Sequence, residues 1–208
     1  MVRKIVLLIT FLLCSCVSIN NKREQFKPNE ISLVSGPKTD GFYYFERTIN
    51  QEKWIHVILF FENGYFLNVG AIPSSNYLYG KQIDELCADL KLTNTLSSAL
   101  ANAKCVIENY DAFFNQGINF INRKSIIHNW GKYTVKDNEV FVRYYSNYLG
   151  NYYLTERSGK KDPNDHLTFN RVFFLKDGKE NFVNEDYIFM EVELNPIEIP
   201  AIVKNTFK

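Results

Sequence analysis

The chain has three histidines, the side chains whose charge changes most readily near neutral pH: His56, His128 and His166. None belongs to an H-E-x-x-H helix pattern. There is also no G-x-S-x-G elbow, no glycine-rich phosphate loop and no paired-cysteine metal site. No catalytic residue, metal or cofactor is therefore assigned. Glu46, Glu62 and Glu156 could act as a hydrolytic carboxylate set only if the fold brought them together, so the balance leans away from an enzyme. The most polar run, Ser158 to His166, follows Glu156 and Arg157. Arg157, Lys160 and Lys161 could meet an anion there, and Asp162, Asn164 and Asp165 could offer oxygens to Ca²⁺. The run lacks the glycine and distal glutamate of an EF-hand, and reads more simply as a solvated hairpin loop. A different set suits recognition rather than catalysis. Tyr44, His56, Trp130, Tyr144 and Arg157 lie within or beside strand-like runs, and are the candidate lining of a ligand cavity. The same aromatics would equally fill an ordinary barrel core.

Strands must position those side chains. Gly41 to Ile49 is rich in aromatic and β-branched residues, and Trp54 to Phe61 alternates with both faces largely apolar. That pattern predicts a central strand covered on both sides. Asn63-Gly64 then separates it from Tyr65 to Val69, the strongest short hairpin signal in the chain. The period changes at Ile83, Leu86, Cys87 and Leu90, and again from Leu96 to Ile107, predicting two amphipathic helices after the third strand. Residues 111–129 are ambiguous. Strands resume at Trp130 to Val135, Glu139 to Tyr145, Asn151 to Arg157, Thr168 to Leu175 and Phe182 to Leu194, with turn signals at Asp137-Asn138 and Asp177-Gly178. The expected fold is β-rich α+β. An antiparallel meander of roughly eight strands forms a curved sheet or barrel, with two helices inserted after the third strand.

The N-terminus carries an address. Arg3 and Lys4 precede an apolar run from Ile5 to Leu13 that is short for a membrane span, the anatomy of a secretory leader. Leu13-Cys14-Ser15-Cys16 resembles the lipobox of bacterial lipoproteins. The resemblance implies cleavage after Ser15, lipidation of Cys16 with palmitate-type acyl chains, and membrane attachment through that anchor. Cys14 is a poorer acceptor, with bulky Leu13 before it; an ordinary cleaved leader and a retained anchor are the other readings. Val17 after the cysteine, rather than Asp, implies the outer membrane, facing the periplasm or the cell surface. The expected organisation is a leader at 1–15, a lipidated N-terminus and polar tether at 16–39, and one globular domain at 40–208. Loss of Arg3 and Lys4 leaves 22 basic against 23 acidic residues. Such a near-neutral chain has no electrostatic reason to bind nucleic acid.

Apart from Cys16, the mature chain keeps Cys87 and Cys105. An oxidising envelope would let them pair if their helix-like segments pack closely. The other reading is two buried small side chains. Finally, Trp130-Gly131-Lys132-Tyr133-Thr134-Val135, a turn and Val140-Phe141-Val142 resemble part of the small lipocalin-like lipoproteins of Bacteroidetes type. In true lipocalins the Trp lies near the first strand, whereas here it follows the helices. The resemblance implies a barrel and a small apolar ligand. The expected function is a membrane-anchored small-ligand-binding module. The rivals are an envelope protein–protein interaction lipoprotein and, further behind, a hydrolase.

Overall fold

A computed structural model describes residues 36–78, 81–87, 93–115, 127–148 and 151–207. The leader, Cys16 and the expected tether as far as residue 35 lie outside the described residues.

Eight long strands close into an antiparallel barrel. They are β1 (Gly41–Ile49), β2 (Glu52–Phe60), β3 (Tyr65–Pro73), β6 (Trp130–Lys136), β7 (Glu139–Tyr148), β8 (Asn151–Lys161), β9 (Leu167–Phe174) and β10 (Lys179–Glu191). Around the barrel the order is β1-β10-β9-β8-β7-β6-β3-β2. A small hairpin of β4 (Tyr77–Leu78) and β5 (Lys81–Gln82) and the helix α1 (Leu96–Glu108) stand between β3 and β6; a short helix α2 (Ala201–Thr206) ends the chain. Among the described residues no helix is long and apolar enough to cross a membrane.

Local chemistry explains the turns. Asp137 and Asn138 both take positive φ, at 51° and 66°, which makes the two-residue turn that joins β6 to β7. Asn50 and Gln51 do the same between β1 and β2, a turn without glycine that the sequence pattern did not mark. At Asn63-Gly64 the hairpin forms with a longer loop than the dipeptide suggests. Only Gly64 is left-handed there, at φ 78°, and Phe61 N–H donates to the Tyr65 carbonyl at 3.0 Å.

Two further expectations are corrected. Ser158 to Lys161 is strand, not loop: Ser158 to Lys160 pair with Phe141 to Glu139 on one side, and the whole run pairs with β9 on the other. Gly159 permits this, since a Cβ there would lie 2.3 Å from the Thr168 carbonyl oxygen. The polar loop shrinks to residues 162–166. Likewise, the first of the two expected helices is a single turn where it is described. The N–H groups of Leu86 and Cys87 both bond the Ile83 carbonyl, at 3.1 and 3.0 Å, and residues 88–92 lie outside the description.

Two apolar clusters result, one on each side of the wall formed by β2 and β3. Inside the barrel, Tyr43, Ile58, Phe60, Phe66, Tyr133 and Phe169 belong to one. Outside, Ile55, Val57, Leu67 and Ile72 pack with Ala99, Ala103 and Val106 of α1 and with Val203 and Phe207 of the C-terminal segment. α1 starts at Thr95, whose hydroxyl accepts from Ser98 N–H. Asn102 Nδ2 ties the helix to the carbonyls of Pro73 and Ser75, at 2.8 and 2.9 Å. A disulfide joins Cys105 of α1 to Cys87, with Cα atoms 6.1 Å apart. Each large side chain buried this way contributes about 1.5–3 kcal/mol, so the outer cluster is a second core rather than decoration.

Candidate functional site

Inside the barrel the packing changes from apolar to polar toward the end that carries the β1–β2 and β9–β10 turns. Strand alternation sends His56 of β2, Asn68 of β3, Tyr144 of β7, Arg157 of β8 and Tyr187 of β10 to the same interior. With Ile58, Phe66 and Phe169 they line one narrow crevice of about 190 Å³, counted out to its open mouth. As it stands the crevice is too narrow to hold a water molecule.

The polar groups form a chain of bonds. His56 Nδ1 and the Tyr187 hydroxyl are 2.7 Å apart. Arg157 Nε donates to the Tyr144 hydroxyl at 2.8 Å, and its Nη1 donates to Glu185 Oε2. The second oxygen of Glu185 accepts from Arg47 Nη2 at 3.1 Å. One carboxylate thus serves two guanidinium groups. Glu185 faces inward because it pairs with Phe169 just past a register shift between Phe182 and Glu185. Its side chain is 9% exposed, against 20% for Arg157 and 48% for Arg47. The Asn68 side-chain oxygen, also at the crevice, is buried with no hydrogen-bond partner.

The electrostatics follow from that count. Burial pushes the His56 imidazole down to about 3, and the charges of Arg157 and Arg47 push the same way, so it is neutral at physiological pH. Burial raises the phenols of Tyr187 and Tyr144, against the pull of Arg157, so both keep their protons. Burial also works against the charge on Arg157, but the oxygens of Tyr144, Tyr187 and Glu185 outweigh it and hold the guanidinium firmly protonated. The crevice therefore offers neutral hydrogen-bonding rings around a locally positive centre.

This gives a pH dependence. Below pH about 6.5 the unfolded chain protonates His56, while the folded chain refuses the proton until about 3. The His56 share of stability is complete above the unfolded value and falls as pH drops through this window. At about pH 4.5 the loss comes to roughly 2–3 kcal/mol. Urea unfolding at about pH 7 and about pH 4.5 should show His56→Gln losing correspondingly less than the parent chain. Equal losses would remove His56 from the account.

Of the five candidate cavity residues, His56, Tyr144 and Arg157 meet in this crevice. Tyr44 and Trp130 do not: both pack with the outer cluster, Trp130 fully buried there. Glu185, Asn68 and Tyr187 were not among the sequence candidates. A signal for Glu185 existed, as a lone carboxylate on the alternating face that carries Val183, Tyr187 and Phe189.

The other candidates are occupied separately. Asp162 Oδ1 accepts from the N–H groups of Asn164 and His166, both at 2.8 Å, and Asp165 is bound by Lys161 and Lys38. Among the described residues no group of three or more His, Cys, Asp or Glu side chains is arranged to hold a metal ion. Glu46 pairs with Lys53 and Glu156 with Arg143, each on its own hairpin, so these carboxylates share no cleft. In comparisons with protein-family models, curated proteins and solved structures, nothing matches this chain.

Proposed function

We propose that the protein is a lipid-anchored envelope barrel that binds a small amphipathic ligand, with the ligand's polar head in the His56–Tyr144–Arg157 crevice. Lipidation at Cys16 holds it to a bacterial membrane, for which the outer membrane is the destination we favour. One observation carries the reading: side chains from strands far apart in sequence converge with Asn68 and Tyr187 on one interior crevice. They are mounted on closed sheet, the kind of rigid support that recognition needs. Because the crevice is narrow, only a slim ligand suits it, with its head at the polar groups and its apolar body against Ile58, Phe66 and Phe169.

The test is native mass spectrometry of the Cys16→Ser chain purified from the periplasm. A reproducible extra mass that disappears on denaturation is expected, and its value gives the ligand class. The second reading, an envelope interaction protein, is favoured by Phe182, which stands 85% exposed on β10. A clean apo mass, with an envelope partner lost on Phe182→Ser, would put that second reading first.

A further inference from the structure

The strands beside the crevice part company. β1 and β10 pair only from Gly41↔Glu191 to Tyr44↔Ile188, although both run on toward the polar end. Beyond that point the described bridges across the seam are side chains: Arg47 to Glu185, and the Phe45 ring against Tyr187 at 5.6 Å. Glu185 stands at this unzipped seam, next to a β-bulge that loosens its own strand. Its carboxylate is the only acidic group in the bond chain, and two guanidinium groups share it. Each guanidinium has five N–H donors in a planar fork built for carboxylates. Arg157 spends Nε on Tyr144 and one Nη1 proton on Glu185, two of the five donors of its fork.

Resting on the barrel-binder reading, we infer that the crevice is a carboxylate site. Glu185 lies beside it, bound by Arg157 and Arg47, and the carboxylate of a small amphipathic ligand takes its place between the two guanidinium groups. Two cations around one carboxylate keep the site locally positive, so a carboxylate head is preferred over a neutral one. Asn68 and the protonated phenols of Tyr144 and Tyr187 complete the polar lining, while Ile58, Phe66 and Phe169 shape it for a slim apolar neighbour. A head group has no free space to enter, so it enters by exchange. The half-exposed Arg47 and the unpaired seam are where the exchange can happen.

Octanoate and its neutral counterpart octanamide test this by calorimetry on the Cys16→Ser chain. Octanoate should bind at least tenfold more tightly than octanamide. Glu185→Gln removes the internal competitor and should strengthen octanoate at least tenfold further, with a larger ligand-induced rise in Tm than in the parent. Arg157→Gln/Glu185→Gln buries no unpaired charge, so it keeps the fold testable, and it should lose the preference for carboxylate over amide. If octanamide binds as well as octanoate, the carboxylate assignment falls and the binder reading stands. If Glu185→Gln weakens octanoate, the exchange falls. If no mass co-purifies and neither probe binds the parent or Glu185→Gln, both readings fall together.

Discussion

Arg157→Gln should destabilise the fold by about 3–5 kcal/mol, the cost of breaking a buried ion pair from one side. Arg47→Gln should cost only about 0–1 kcal/mol, as exposed pairs do. The two arginines hold the same carboxylate, so their difference lies in burial and in the second bond that Arg157 makes to Tyr144. Arg157 is 20% exposed beneath Tyr144 and beside Tyr187, and water cannot replace it there. Arg47 is 48% exposed over the Phe45 ring at 4.8 Å, where solvent already screens its charge. Losing Arg157 also strips the Tyr144 hydroxyl of its guanidinium donor and leaves Glu185 with Arg47 alone. Arg157→Gln/Glu185→Gln should cost less than the sum of the two single changes, because neither charge is then stranded. Urea unfolding of the single and double variants measures all three terms. Equal costs at Arg47 and Arg157 would mean that Glu185 is solvated rather than buried.

How much of this was legible depended on how many faces of a strand are apolar. The meander was readable because hairpin chemistry is local: Asp137-Asn138 and Asp177-Gly178 sit between alternating runs and turn there, whereas its closure through β1 and β10 was left open between a curved sheet and a barrel. β2 was readable as a central strand because both its faces are apolar. That same property hid which face was which. A sheet with one wet face announces its parity, but here α1 and the C-terminal segment cover the outside of β2 and β3, so outward residues look like inward ones. Tyr44 was therefore expected at a cavity, while its neighbour Tyr43 is the residue that faces the barrel interior. Glu185 was missed for a different reason. It shares the alternating inner face of Val183, Tyr187 and Phe189, but a lone carboxylate reads as a solvated position until its arginine partners on β1 and β8 are seen beside it. The run from Ser158 to Lys161 misled through composition: polar residues form strand there because both flanking strands need partners and Gly159 allows close approach.

Trp130 puts the outer cluster to the test. It is fully buried, pairs with Leu67 across the β3–β6 contact, and stacks near Phe61 at 5.3 Å and Tyr110 at 6.4 Å. That contact is short: β3 and β6 pair only through Tyr65, Phe66 and Leu67. A large side chain is needed there because few hydrogen bonds close the seam. Trp130→Ala should cost about 3–5 kcal/mol, the range for removing a large aromatic from a core. The indole nitrogen has no partner among the described residues, so the loss is one of packing and area rather than of a hydrogen bond. The next residue shows how close the packing is. A Cβ on Gly131 would lie 2.3 Å from the Arg143 carbonyl oxygen, so no other residue fits at that position without moving β7. Urea unfolding measures the cost of Trp130→Ala, and amide exchange locates it. Protection should fall first in Leu96–Glu108, which shares the outer cluster, before it falls in β8 and β9. A co-purifying ligand mass that survives Trp130→Ala would place the indole in the scaffold, whereas loss of that mass without loss of stability would return it to the binding site.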